Sequence, residues 1–230
     1  MDKAIQLFIL PFAGGTAASF KMLEKLLDDK IDVYTVEYPG HGKRASDHFC
    51  KSFDELLDDV AYQIKEQRIH GLPFSLMGYS MGVEAAFDLA QYKLDEQADH
   101  LFFCARDTIS LNTKGHDYAL LDSERFSEKI AELGGVDRKI IQNKRFRDIY
   151  IKPVYEDYKL IMEYEYHPER GLLNNNLTIM YCEKDTPWKD IMGWEKITTG
   201  KTYFFEMGDN HFFINDCTQK MADIINTALI

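Results

Sequence analysis

Short apolar segments alternate along the chain with longer segments in which apolar residues recur every three or four positions. The short segments are bounded by glycine, proline or polar residues, which is typical of buried β-strands. They are Ile5–Leu10, Val33–Val36, Pro73–Met77, Leu101–Cys104, Leu177–Cys182 and Thr202–Glu206. The longer segments have one apolar face each and predict helices at Ser19–Leu27, Ser52–Gln67, Met81–Leu94 and Thr218–Leu229. This alternation predicts an α/β protein with a mostly parallel sheet and helices on both faces.

One long segment, at about residues 112–170, contains no convincing strand. Its helical patterns at Asp122–Leu133 and Asp137–Ile151 exceed what a connection between two parallel strands requires. We therefore predict a helical insertion within one domain that spans residues 1–230. The insertion is interpreted as a lid over a site, with additional packing as the alternative.

The composition is that of a globular protein and narrows the range of partners. The 230 residues include 38 acidic and 27 basic side chains, so the formal net charge is −11. We therefore expect neither nucleic acid nor an anionic membrane as a partner. No leader-like or membrane-spanning apolar run and no C-x-x-C pair is evident. These features predict a cytoplasmic protein without a metal site or cofactor, and we expect it to be a monomer.

Residues 78–82 have the sequence Gly-Tyr-Ser-Met-Gly, which fits the pattern G-x-S-x-G. They directly follow one predicted strand and directly precede a predicted helix, as a nucleophile elbow does. The glycines are needed because bulkier side chains in so tight a turn would collide with neighbouring backbone. We therefore interpret Ser80 as a catalytic nucleophile, with an ordinary glycine–serine turn as the alternative.

A serine nucleophile needs a histidine base, which follows it along the chain in this class of elbow. His116, His167 and His211 all lie after Ser80. His211 comes just after the predicted strand Thr202–Glu206, where a loop at the carboxyl edge of the sheet would deliver it. We therefore prefer His211 as the base.

The acid that orients the base is expected in the loop after the preceding strand. That loop contains Glu183 and Asp185, and Asp185 is preferred because a Thr-Pro turn follows it directly. Asp209 is a further candidate, but it lies so close to His211 in sequence that reaching the imidazole would be awkward.

The oxyanion of a tetrahedral intermediate requires two backbone N–H donors. Met81 follows the nucleophile and supplies one candidate. The glycine-containing loop Pro11–Gly15 follows the first predicted strand and supplies the other, from either Phe12 or Ala13. The sequence does not decide between these two.

Together these motifs resemble the α/β-hydrolase superfamily and, more narrowly, the type II thioesterases of non-ribosomal peptide and polyketide synthesis. The resemblance runs through most of the chain. It rests on Leu10–Phe20, Glu37–Arg44, the elbow at residues 78–82, Leu133–Val136, Lys152–Tyr166 and Gly208–Ile214. The resemblance implies hydrolysis of acyl-4′-phosphopantetheine thioesters on acyl or peptidyl carrier proteins, which clears stalled or misprimed carriers. A small-molecule esterase or acyltransferase needs the same residues, and a non-catalytic binding relative is the alternative outside enzymes.

Three positions depart from the pattern of that family. Tyr79 stands where the family usually has histidine, and Val83 replaces a usual glycine after the elbow. Residues 105–108 read Ala-Arg-Asp-Thr, where the family commonly has small residues ending in Ala-Pro. None of these departures removes a predicted catalytic residue, but each could alter substrate choice.

A cluster of bases in the insertion is a candidate docking surface for an acidic carrier protein. Six basic residues and one acidic residue lie between positions 138 and 152. Arg138, Arg145 and Lys152 recur every seven residues, so on a helix they would share one face. A solvated face without a partner is the alternative interpretation.

Overall fold

The computed structural model describes residues 3–111, 117–133, 143 and 147–230, without the side chains at 148 and 149. Within them, one sheet contains β1 (Ile5–Leu10), β2 (Ile31–Thr35), β3 (Phe74–Tyr79), β4 (His100–Cys104), β5 (Asn176–Tyr181) and β6 (Thr202–Glu206). All of the pairings between these strands are parallel, and the spatial order is β2-β1-β3-β4-β5-β6. The prediction of a parallel α/β sheet is therefore confirmed.

Helices pack against both faces of this sheet. Among the described residues, the α-helices are α1 (Lys21–Glu24), α2 (Phe53–Gln67), α3 (Met81–Asp88), α4 (Ser123–Glu132), α5 (Lys152–Glu163), α6 (Trp188–Ile191) and α7 (Thr218–Leu229). Short 3₁₀ helices lie at Ala17–Phe20, Gly42–Arg44, Tyr118–Leu120, Pro168–Arg170 and Met192–Lys196. No helix in the described part of the chain is both long enough and apolar enough to cross a membrane.

Alternate side chains of the strands feed two hydrophobic cores. In β1, Phe8 and Leu10 belong to the core that α2, α3, α4 and α5 cover. Leu7 and Ile9 point to the other face and join the core under α1 and α7. All six residues of β1 are buried, which explains why five of them are apolar, while the buried Gln6 side chain donates a hydrogen bond to Asp32.

Capping residues account for where two of the helices begin. The Ser52 hydroxyl accepts a hydrogen bond from the backbone N–H of Glu55 (3.2 Å), and the Glu55 carboxylate accepts one from the Lys51 N–H (2.7 Å). Asp122 caps α4 by accepting from the Arg125 N–H at 2.9 Å. These contacts satisfy N–H groups that have no partner within the helix.

Two predicted helices are wrong in detail. Segment 19–27 forms a 3₁₀ turn and only one α-helical turn, because the Leu26 N–H bonds to the Leu23 carbonyl and tightens the end of α1. Segment 81–94 leaves α-helical geometry at Asp88 and continues as a π-helical turn, Leu89–Lys93. In that turn the Leu94 N–H reaches back five residues to the Leu89 carbonyl.

The described part of the insertion is helical. Its helical elements are the Tyr118–Leu120 turn, α4, a π-helical turn at Arg147–Ile151, α5 and the 3₁₀ helix Pro168–Arg170. The Tyr155 hydroxyl donates to the Ala119 carbonyl at 3.2 Å, and the Phe126 ring packs edge-on against Tyr155 and Tyr158. Most of the predicted helix Asp137–Ile151 lies outside the described residues.

Candidate active site

Ser80 occupies a strained turn between β3 and α3. Its φ of +52° is unusual for a residue with a side chain, and its N–H donates to the Cys104 carbonyl at 2.8 Å. A Cβ atom on Gly78 would collide with the Gly82 backbone, and one on Gly82 would collide with the Leu10 carbonyl. The two flanking glycines therefore permit the close backbone approach that presents the serine at the carboxyl edge of the sheet.

A chain of hydrogen bonds joins three of the predicted residues. His211 Nε2 lies 3.1 Å from Ser80 Oγ, and His211 Nδ1 lies 2.9 Å from Asp185 Oδ2. Because Nδ1 faces a carboxylate, it carries the ring proton, and Nε2 is left to accept the serine proton. The imidazole is therefore placed to act as a general base toward Ser80.

Local contacts hold the carboxylate in place. The Asp185 N–H bonds to the Cys182 carbonyl at 3.0 Å, and the Thr186 hydroxyl donates to Asp185 Oδ2 at 3.1 Å. Glu183 has a different role, since it accepts from the N–H of Trp188 (2.8 Å) at the start of α6.

The other candidate residues have partners away from the serine. Asp209 forms an exposed ion pair with Lys184 (2.6 Å), and His167 pairs with Glu169 (2.9 Å). His116 lies outside the described residues.

The candidate oxyanion loop, residues 11–15, lies beside the serine. Phe12, Ala13 and Gly14 line the same cavity as Ser80. The Gly15 N–H donates to the Phe12 carbonyl at 2.7 Å, which closes a tight turn. Phe12 and Ala13 both remain candidates for the second donor, together with Met81 at the start of α3.

The insertion contributes the apolar side of this cavity. The cavity has a volume of about 300 Å³ and contains Ser80 and His211 at one side. Its lining from the insertion consists of Ile130, Leu133, Tyr150, Val154 and Tyr158. An apolar pocket next to a serine–histidine pair suits an acyl chain.

The thioesterase domain family model matches residues 5–229. The chain belongs to the thioesterase domain family. It is 23% identical over 226 residues to the gramicidin S biosynthesis protein GrsT of Aneurinibacillus migulanus. That alignment covers 96% of this chain and 87% of GrsT.

Solved structures of similar proteins share the α/β-hydrolase fold. ClbQ from the colibactin NRPS/PKS pathway superposes with a TM-score of 0.84 at 25% identity, covering 98% of this chain and 96% of that one. The type II thioesterase BorB from the borrelidin biosynthetic cluster gives 0.87 at 23% identity, covering 100% and 96%. The predicted resemblance to type II thioesterases is therefore confirmed.

In this thioesterase-family chain, Tyr79 supports the histidine loop. Its buried hydroxyl donates to the His211 carbonyl at 2.6 Å and accepts from the Ile214 N–H at 3.4 Å. Burial raises the pKa of Tyr79 well above its ordinary value, so the hydroxyl remains a donor. Sequence reasoning identified the departure but missed this role. The available signal was a tyrosine at a buried strand position, where the hydroxyl needs a partner.

The other two departures concern the core of the thioesterase domain. Val83 lies on α3 and is fully buried in the core. Arg106 donates to Glu84 at 2.6 Å and lies 3.4 Å from Asp107, so the unusual segment after β4 supplies a buried charge network. Burial raises the pKa of Glu84 to about 7, although Arg106 opposes the shift. Glu84 was not singled out from the sequence, because nothing in its helical position indicated a buried acid.

The candidate docking surface is described only in part. Arg138 and Arg145 lie outside the described residues. Lys152 is exposed at the start of α5, with its ammonium 5.7 Å from the centre of the Phe49 ring. Among the described residues, no group of three or more histidine, cysteine or acidic side chains could hold a metal ion.

Proposed function

We propose that this chain is a serine thioesterase that hydrolyses acyl-4′-phosphopantetheine thioesters on carrier proteins and so regenerates misacylated carriers. The observation that carries the proposal is the hydrogen-bonded series Ser80–His211–Asp185 beside an apolar cavity. The similarity to proteins of peptide and polyketide biosynthesis supports a carrier-bound substrate. We expect the enzyme to act as a cytoplasmic monomer without a metal or cofactor.

The proposed reaction begins with attack of Ser80 Oγ on the thioester carbonyl carbon. As the C–O bond forms, the serine proton passes to His211 Nε2, and Asp185 holds the imidazole in place. The carbonyl oxygen becomes an oxyanion, for which we assign the N–H groups of Met81 and of Phe12 or Ala13 as donors.

The acyl-enzyme forms when the tetrahedral intermediate collapses. The C–S bond breaks, and His211 returns its proton to the leaving pantetheine sulfur. The same imidazole then accepts a proton from water as the water oxygen attacks the acyl carbon. Breakdown of the second intermediate returns the proton to Ser80 Oγ and releases the carboxylic acid. No step needs an oxidant or a second substrate besides water.

Intact-mass analysis of acyl-loaded carrier proteins tests this proposal. Incubation with the protein should remove the acyl mass and leave the phosphopantetheine arm, while Ser80→Ala should leave the acyl mass in place. The Ser80→Ala variant should fold, because the serine side chain is only partly buried in its turn. More than a few per cent of residual activity in that variant would contradict the assignment of the nucleophile.

Parallel assays separate the alternatives. Turnover of p-nitrophenyl esters without turnover of acyl carriers or acyl-pantetheine would indicate a small-molecule esterase. Transfer of the acyl group to an added alcohol or amine in preference to water would indicate an acyltransferase. Binding without any turnover would identify a non-catalytic relative.

A further inference from the structure

A buried carboxylate of the insertion contacts the candidate oxyanion loop. Asp157 lies on α5 and is only 3% exposed. Its Oδ2 atom accepts a hydrogen bond from the Gly14 N–H at 2.7 Å, across 143 residues of sequence. Asp157 is distinct from Asp185, the carboxylate that contacts the catalytic imidazole.

A buried histidine from the turn after β2 lies against Asp157. His41 Nε2 lies 3.0 Å from Asp157 Oδ2, and His41 Nδ1 lies 3.0 Å from the Pro39 carbonyl. Burial lowers the pKa of His41, but Asp157 and the Pro39 carbonyl outweigh burial and raise it above the ordinary value.

Packing against the same loop fixes α5 in register. Gly14 has a φ of +74°, and a Cβ atom there would collide with the Val154 side chain, one turn before Asp157. The loop is otherwise held at its start, where the Tyr38 hydroxyl donates to the Pro11 carbonyl at 3.0 Å. The contact from Asp157 therefore fixes the far end of the segment that contains Phe12 and Ala13.

We propose that Asp157 is a positioning residue that orients the oxyanion loop. By accepting the Gly14 N–H, the carboxylate fixes the peptide units that precede Gly14, and so aims the N–H of Phe12 or Ala13 at the oxyanion. His41 Nε2 lies 3.0 Å from the same Oδ2 atom and packs against the carboxylate from the turn after β2. The oxyanion site is complete only while α5 is seated on the loop. This proposal rests on the proposed function, in which residues 11–15 supply an oxyanion donor. A misaligned donor weakens stabilisation of the transition state and leaves substrate affinity unchanged.

Three substitutions separate positioning from a structural role. Asp157→Ala removes the acceptor for the Gly14 N–H, whereas Asp157→Asn removes the charge and keeps an acceptor oxygen. Glu163→Ala is the matched control, since Glu163 is an exposed acid at the end of the same helix. We expect Asp157→Ala to lower kcat by on the order of 100-fold with less than about a 3-fold change in KM. The kcat of Asp157→Asn should stay within about 10-fold of the wild-type value, since the amide oxygen still accepts the Gly14 N–H. The kcat of Glu163→Ala should equal that of the wild type.

Binding of an alkyl boronic acid gives a readout that does not need turnover. Its boron bonds to Ser80 Oγ, and one of its hydroxyl groups occupies the oxyanion position. Affinity for the boronate should fall in Asp157→Ala in parallel with kcat/KM, while affinity for a non-hydrolysable thioether analogue should not change. If Asp157→Ala does not fold, Asp157→Ser is used in the same two titrations, because its shorter side chain also loses contact with Gly14.

The outcomes distinguish this proposal from the proposed function. Unchanged kcat and boronate affinity in Asp157→Ala would overturn it, as would equal losses for boronate and thioether. Losses in Asp157→Asn as large as those in Asp157→Ala would assign the effect to the ion pair with His41 and also overturn it. Boronate binding that depends on both Ser80 and Asp157, in a protein that hydrolyses no thioester, would uphold the positioning role and reject the proposed substrate.

Discussion

Two consecutive residues at the end of β3, Tyr79 and Ser80, both contact His211. Ser80 contacts the ring of His211, and Tyr79 holds the backbone carbonyl of that residue. The position of the proposed base is therefore set from the same turn that sets the position of the proposed nucleophile. A histidine at position 79 would have a shorter reach than the tyrosine hydroxyl, so this departure from the family pattern has a geometric consequence.

Removing the Tyr79 hydroxyl should loosen the histidine loop. Tyr79→Phe leaves the buried His211 carbonyl without this partner and should lower the free energy of unfolding by about 1–3 kcal/mol. It should also lower kcat severalfold, because the imidazole would be less well placed. Chemical denaturation and steady-state kinetics check both effects, with Tyr203→Phe as the control because Tyr203 is 44% exposed. A variant with normal stability and normal kcat would show that the ring alone supports the loop.

The two acids of the loop after β5 should differ sharply in their effect on catalysis. Asp185→Asn should lower kcat by roughly 10²–10⁴-fold, because the amide would stabilise the wrong histidine tautomer. Glu183→Gln should retain most of the activity, since Glu183 accepts a hydrogen bond from Trp188 instead. Thioester turnover by both variants checks the assignment. A larger loss in Glu183→Gln than in Asp185→Asn would mean that the acid is assigned to the wrong residue.

At the scale of elements, local patterns in the sequence predicted the strands and most of the helices. The Ser52 cap and the alternation of β1 between two cores follow from residues close together in the chain. By contrast, the π-helical turn after Asp88 forms because a backbone N–H bonds to the carbonyl five residues before it, and the spacing of apolar residues does not predict that change. The spacing of apolar residues in so short a segment does not distinguish an α-helical turn from a π-helical turn, so only the structure shows which of the two forms.

The residues around the candidate site show the same limit. Ser80, Asp185 and His211 could be chosen because each follows a strand whose carboxyl end lies at one edge of the sheet. The contact between Gly14 and Asp157 joins two elements far apart in sequence, and no local pattern relates them. The sequence predicted the three residues that the structure joins by hydrogen bonds, but it did not predict the contacts that Tyr79 and Asp157 make with the loops around them.

The start of β4 should make the stability of the fold sensitive to acid. His100 is buried, its Nε2 atom lies 2.8 Å from the Thr178 hydroxyl on β5, and burial lowers its pKa to about 4. As the pH falls, His100 is therefore protonated near pH 6.5 in the unfolded chain but only near pH 4 in the folded chain. Stability from this residue is present above pH 6.5 and is lost as the pH falls toward 4.

The test compares His100→Gln with the wild type by denaturant unfolding between pH 4 and 7. The variant should gain up to about 3 kcal/mol relative to the wild type as the pH falls across this window. His48→Gln serves as the control because His48 is exposed. Parallel pH profiles for His100→Gln and the wild type would contradict a depressed pKa at His100.

At the scale of the whole molecule, net charge opposes the proposed partner. Carrier proteins of this kind are typically acidic, and this chain carries a formal charge of −11, so the two would repel each other at long range. A local group of basic residues is therefore needed on this chain for an acidic carrier protein to dock. Within the sequence, residues 138–152 carry the densest group of this kind.

Charge reversal in that segment should separate docking from chemistry. Changing Arg138 and Arg145 together to Glu should raise KM for acyl-carrier substrates and flatten its dependence on salt. Turnover of free acyl-pantetheine should change little, because that substrate does not use the protein surface of a carrier. Kinetics on both substrates at several ionic strengths check the prediction, and equal losses on both would indicate damage to the site itself.

The position of β6 at the edge of the sheet has a consequence for the order of events during synthesis and folding. This strand pairs with β5 alone, and it leads directly into the loop that carries His211. The serine leaves the ribosome long before the histidine, and a chain that has not yet added its last strand has a nucleophile without a base. Such a nascent chain is chemically silent toward thioesters. Reactivity therefore begins only after β6 and the loop that carries His211 have been added, and the core under α7 is completed later still, because α7 follows that loop in the chain.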